Sequence, residues 1–200
     1  NKVNALSNEL NQWIEDSAQR ILQSNKIPVV LGGDHSSPFG LMQAISKNKQ
    51  DFGVLQIDAH ADLRPAYEGF EYSHASIMHN LMKLNSVTKL VQVGIRDYCE
   101  QEFEVMESDP RIVTYYDETL AKERFEGATW SAQVAQIIQS LPQDIYISLD
   151  IDGLEQQYCP STGTPVPGGL TYHQLMYLLN QLMLSGKRIL AFDLCEVSGA

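Results

Sequence analysis

The stretch Gly53-Val-Leu-Gln-Ile-Asp-Ala-His-Ala-Asp62 constrains this chain more than any other, because an apolar run ends in two carboxylates and an imidazole at alternate positions. If the backbone stays extended past Ile57, Asp58, His60 and Asp62 point the same way, since strand side chains alternate with period 2. The alanines between them remove bulk from the other side and let this end approach other strand ends. Ile145 to Asp152 repeats the pattern and delivers Asp150 and Asp152 at the same spacing. A third run, Pro28 to Leu31, leads through Gly32 and Gly33 to Asp34 and His35. Four carboxylates gathered in one place cannot all stay ionised unless cations offset them, because like charges at short range favour the protonated form.

The remaining elements follow from periodicity. Val3, Leu6, Leu10, Trp13, Ile14, Ile21 and Leu22 recur at helical spacing, which predicts an amphipathic helix over 3–24 with its polar side outward. Strands are expected at 28–31, 53–58, 89–95, 111–116, 145–150 and 188–192, the last leading into Asp193 and Glu196. Helices are expected at 36–47, from 74 or 75 to 84, at 101–107, 130–140 and 172–185. Two irregular runs, 63–73 and 153–170, are long enough to suggest functional loops. Apolar strands that alternate with helices predict an α/β fold: a three-layer α-β-α arrangement around a mostly parallel sheet. Ligands of such sheets bind outside the carboxyl ends of the strands, where every donor singled out here falls.

Composition narrows the class. With 200 residues and 44% apolar content the chain suits one domain, and 14 basic against 25 acidic residues give a net charge of −11. That charge disfavours nucleic acid and anionic membrane as partners and favours cationic small molecules. No apolar run is long enough to span a bilayer and the first residues lack the form of a signal peptide, so a cytoplasmic protein is expected. Cys99, Cys159 and Cys195 share no metal-binding or disulfide spacing. The chain begins on a helix and stops just past a strand, which reads as a single catalytic domain over 1–200, incomplete at one or both ends.

Gly-Gly-Asp-His at 32–35, Asp-Ala-His-Ala-Asp at 58–62, Ser-Leu-Asp-Ile-Asp at 148–152 running into Gly-Thr-Pro-Val-Pro-Gly-Gly-Leu at 163–170, and Asp-Leu-Cys-Glu-Val at 193–197 resemble the ureohydrolase family of arginases, agmatinases and formimidoylglutamases. The resemblance implies an arginase-like fold and two Mn2+ ions per subunit. It makes His35, Asp58, Asp62 and Asp150 ligands of one ion, and Asp58, His60, Asp150 and Asp152 ligands of the other. Asp58 and Asp150 would bridge. Their donor types suit manganese better than softer metals. The implied reaction is attack of a metal-bridged hydroxide on the guanidino group of a small substrate. The resemblance makes Glu196 the partner of the guanidinium and His74 the proton shuttle to the leaving amine, so that His74, Glu196 and Asp62 form the catalytic set. Homo-oligomers, trimeric or hexameric, are also implied.

The loop before His74 is closer to the agmatinase form, which makes agmatine the expected substrate, cleaved to putrescine and urea. Glu68 and Glu71 would then favour an amine tail. The alternatives are an arginase, a guanidino-acid hydrolase or a formimidoylglutamase, in which Arg64 or Arg96 grips a substrate carboxylate. A metal-dependent deacetylase of related fold and a metal-poor, inactive regulatory homologue are further readings. Asp34 and Asp193 are expected to support ligands or cap turns, and the cysteines near the motifs to pack.

Overall fold

The computed structural model describes residues 2–198. Six strands form one sheet: β1 (Val29–Leu31), β2 (Phe52–Ile57), β3 (Val87–Ile95), β4 (Ile112–Tyr116), β5 (Asp144–Asp150) and β6 (Arg188–Cys195). Their order is β1-β6-β5-β2-β3-β4 and every pairing is parallel. From β2 the chain builds outward through β3 and β4, then returns to place β5 on the other side of β2. The β2/β5 boundary is therefore the topological switch point, where the carboxyl ends of two strands open a crevice.

Seven α-helices cover the sheet among the described residues: α1 (Lys2–Gln23), α2 (Phe39–Asn48), α3 (Ile77–Met82), α4 (Glu100–Ser108), α5 (Asp117–Phe125), α6 (Trp130–Ser140) and α7 (Tyr172–Leu184). Strand alternation sorts the core into two halves. Phe52 and Val54 of β2 pack beneath α2 and α3 with Leu41, Met42, Ile45, Met78 and Leu81. Leu55 and Ile57 face Val134, Ile137, Leu175, Leu178 and Leu182 of α6 and α7. The three-layer arrangement is thus the one expected, with all six strands near their predicted bounds.

Local departures have physical causes. Helix α1 docks on α2 through Asn11, Ile14, Glu15 and Ala18, leaving Val3, Leu6, Leu10 and Trp13 exposed, so only part of its apolar stripe, Ile14 and Leu22, reaches the core. The approach depends on Gly40, where a Cβ would lie 2.2 Å from the Asn11 carbonyl oxygen. Strand β1 is a three-residue edge strand and is not buried. Residues 74–76 form a 3-10 turn before α3, and α2 starts after Pro38. Helix α5 escapes periodicity because it buries little beyond Leu120; Asp117 and Glu118 in its first turn and Lys122 and Arg124 in its last match the helix dipole instead.

Candidate metal centre

Strand β2 ends at Ile57, and Asp62 takes a left-handed backbone conformation, φ 55°. The donors of residues 58–62 therefore converge by a turn, not by continued strand alternation. Asp58 Oδ1 accepts the His60 backbone N–H at 2.7 Å, and the end of β5 does likewise, with Asp150 Oδ1 accepting from Asp152 N at 2.9 Å. The two ends touch where Asp152 Oδ1 accepts from Ala59 N at 3.1 Å. Gly153 makes this contact possible, since a Cβ there would lie 2.7 Å from Asp58 N.

Two donor clusters result, and Asp58 belongs to both. His35 Nδ1 lies 3.0 Å from Asp58 Oδ2, 3.0 Å from Asp62 Oδ2 and 3.4 Å from Asp150 Oδ2. His60 Nδ1 lies 3.2 Å from Asp152 Oδ2 and 3.5 Å from Asp58 Oδ1. All of these groups are buried except His60, which is half-buried. His35 Nδ1 makes no hydrogen bond of acceptable geometry despite its three carboxylate neighbours. Donors packed in this way suit a shared cation, since adjacent ligands of an octahedral ion at about 2.1 Å sit about 3 Å apart. Carboxylate and imidazole donors without thiolate suit a divalent ion such as manganese, iron or zinc.

The tautomer of His35 is set from behind. Ser148 Oγ donates to Asp193 Oδ1 at 3.2 Å and so accepts from His35 Nε2–H at 2.8 Å. This leaves Nδ1 with the lone pair in the neutral ring, as a metal ligand requires. Asp193 also accepts from Tyr146 Oη at 2.5 Å; it lies within β6, one layer below the clusters, and burial raises its pKa. Asp34, by contrast, is exposed and caps the turn at Ser36 and Ser37.

The electrostatics show what the clusters lack. Burial and then the Asp58 charge push Asp62 up to about 7, and the same two causes raise Asp150 strongly. Burial opposes charge on His60, yet Asp152 and Asp58 lift it to about 11. His35 is likewise raised against the effect of its burial, by Asp58 and Asp62. Asp58 alone moves down, because His35 and His60 outweigh its burial. Left to themselves the two imidazoles and Asp150, with Asp62 in part, retain protons near neutral pH in place of cations, while Asp58 stays ionised.

A cavity of about 150 Å³ opens beside the clusters, with His60, Asp62, Arg64, Tyr67, His74, Asp97 and Glu102 in its wall. His74 is half-buried and edge-on to Tyr67, ring centroids 5.7 Å apart. Glu196, φ 61°, follows β6, and its Oε1 accepts from His35 N at 2.9 Å, so it borders the first cluster. Glu68 and Glu71 are exposed and do not line the cavity, contrary to expectation. Nor is Arg96 available to a substrate carboxylate: its guanidinium is bound to the carbonyls of Gly94, Asp152, Leu154 and Val166. It fastens the loop 153–170 instead. Arg64 does turn toward the cavity, over the Tyr67 ring at 5.4 Å, with Nε 3.4 Å from Glu102 Oε2.

The arginase family model matches residues 2–200. The chain belongs to the arginase family. It is 35% identical to an N(1)-aminopropylagmatine ureohydrolase from Thermus thermophilus over 98% of this chain and 63% of that protein. The agmatine ureohydrolase of Thermoplasma volcanium superposes with a TM-score of 0.79 at 26% identity, over 96% of this chain and 61% of that one. An arginase from Bacillus cereus gives 0.80 at 25% identity, over 98% and 70%. The chain thus spans about three-fifths of the length of the curated relatives it matches. Among the described residues, no helix is long and apolar enough to cross a membrane.

Sequence reasoning missed Gln56, Gln92 and Tyr146, all fully buried beneath the clusters. No periodic signal marks them, because only strand register sets Gln56 beside Gln92.

Proposed function

We propose that this chain carries the binuclear centre of a ureohydrolase that cleaves the guanidino group of a small cationic substrate, agmatine to putrescine and urea. The observation that supports this most is the Asp58 carboxylate, whose two oxygens face different imidazole-bearing clusters in one crevice. His35, Asp58 and Asp62 would hold one cation with Asp150, whose Oδ2 lies 3.4 Å from His35 Nδ1, and His60, Asp58 and Asp152 would hold the other. When bound, two manganese ions would supply an activated water at neutral pH and offset the carboxylate charge. No position of this donor set is lost, which favours an active enzyme over a regulatory homologue.

The other residues act on the substrate. Glu196 is fixed through Oε1 by the His35 backbone, which leaves Oε2 to accept from a guanidinium lying over the clusters. His74, half-buried at the cavity wall, would protonate the leaving amine. Glu102 is occupied by Leu63 N, Cys99 N and Arg64, so Asp97 is the remaining carboxylate of the wall able to receive an ammonium tail. Names of relatives that act on agmatine or its aminopropyl derivative point the same way.

The test is urea release by the full-length, manganese-loaded protein on agmatine, aminopropylagmatine, arginine and guanidinobutyrate, with formamide release from formiminoglutamate. The amines are expected to have the highest kcat/KM, and Asp97→Asn to reduce it for agmatine more than for guanidinobutyrate. A preference for guanidinobutyrate that disappears in Arg64→Ala would overturn the amine reading.

A further inference from the structure

One register row of the sheet is polar where the strand interiors are otherwise apolar: Asp193 on β6, Ser148 on β5, Gln56 on β2, Gln92 on β3 and Thr114 on β4. The Asp193 and Ser148 half serves His35. The other half has no part in the chemistry above. Gln56 and Gln92 are both 0% exposed, at positions where Val, Ile or Leu would pack without burying an amide.

The donors run in one direction. Thr114 Oγ1 donates to Gln92 Oε1 at 2.9 Å, and Gln92 Nε2 donates to Gln56 Oε1 at 2.7 Å and to the Ala61 carbonyl at 3.0 Å. Gln56 Nε2 donates to Asp58 Oδ2 at 2.9 Å and to the His60 carbonyl at 3.1 Å. Carboxylate and carbonyl oxygens cannot donate, so the NH2 of Gln56 must face Asp58 and His60, and its carbonyl must face Gln92. Gln92 must then donate, which leaves its own carbonyl for the Thr114 hydroxyl. Reversing either amide would set oxygen against oxygen in a dry interior. All four amide hydrogens thus end on Asp58, on the other glutamine, or on the turn that carries His60 and Asp62.

We propose that Thr114, Gln92 and Gln56 form a directed positioning relay that sets the rotation of the Asp58 carboxylate and the path of residues 58–62, so that both cation positions are preset in the metal-free fold. This rests on reading Asp58 as the shared ligand. Its rotation matters because Oδ2 serves the His35 cluster and Oδ1 the His60 cluster. A turned carboxylate would weaken both together. Thr114 touches no proposed ligand and lies two strands from β2, so any influence on metal binding has to pass through Gln92 and Gln56.

The experiment is Mn2+ titration calorimetry with electron paramagnetic resonance on the full-length wild type, Gln56→Leu, Gln92→Leu, Thr114→Val and Thr114→Ser, with thermal melts of each metal-free protein. The wild type should take two coupled ions. Gln56→Leu should lose about 10- to 100-fold in affinity for both, the usual effect of removing a ligand's supporting hydrogen bond. Thr114→Val should show a smaller loss and an altered coupled spectrum, and Thr114→Ser should restore both. A wild type that takes fewer than two ions would defeat the shared-ligand reading itself. Two ions in the wild type with unchanged affinity and spectrum in the glutamine variants and in Thr114→Val would overturn the relay alone, even if the melts fall. If the glutamine variants fail to fold, the Thr114 pair decides: wild-type binding and spectrum in Thr114→Val overturns the relay.

Discussion

Protons and cations would compete for the same atoms at this centre. His60, raised to about 11, and Asp62, raised to about 7, are wholly and partly protonated near neutral pH in the metal-free protein. Ligands must be deprotonated to bind, so cation uptake must expel protons and affinity must rise with pH. Manganese titration in buffers of differing ionisation enthalpy is expected to show release of at least about one proton per chain near pH 7. A binding heat independent of the buffer would contradict the arrangement. Asp58→Asn should lose both ions together because its oxygens serve both clusters. Asp152→Asn should lose the His60-side ion first, since Asp152 approaches only that imidazole closely; direct metal analysis after dialysis separates the two outcomes.

Loops and strand ends carry the site, and two residues lock them. Arg96 binds four backbone carbonyls from its half-buried position and fastens the loop 153–170 beside the end of β3. Arg96→Ala is expected to cost about 2–3 kcal/mol, the range for charged hydrogen bonds whose partners are left unsatisfied. Arg96→Lys should recover little of it, because an ammonium cannot reproduce the planar fork. Urea unfolding of the metal-free protein measures both. Gly153→Ala should destabilise by about 1–3 kcal/mol, as overpacking does, and push apart the ends of β2 and β5. Six strands were legible because each is a short apolar run bounded by turn residues. Helix α5 was not, since it lacks an apolar stripe, and the convergence of residues 58–62 was expected for a different reason. Alternation suggested a common direction, whereas the structure achieves it through the Asp58–His60 turn and a left-handed Asp62. The glutamine relay was hidden because a buried glutamine has no periodic signature; only strand register reveals that Gln56, Gln92 and Thr114 are neighbours.

For the molecule as a whole, the parallel sheet brings donors separated by more than a hundred residues to one switch point, with His35, Asp58 and Asp152 arriving from three strand ends. At the opposite end of the sheet, Asp144 is held below its ordinary pKa chiefly by Arg188, which it binds at 2.6 and 2.5 Å. A depressed carboxylate stabilises above its unfolded value and loses that contribution as pH falls through the folded one. The deficit of Asp144→Asn relative to wild type should therefore be full near neutrality and shrink as pH falls below 3.8, seen in melts of the metal-free proteins. The central claim is that a single crevice holds two cations bridged by Asp58. Equilibrium dialysis against Mn2+ combined with electron paramagnetic resonance tests it most directly. The account predicts two ions per chain with an exchange-coupled spectrum that vanishes in Asp58→Asn; one ion per chain, or two with the signal of isolated Mn2+, would contradict it.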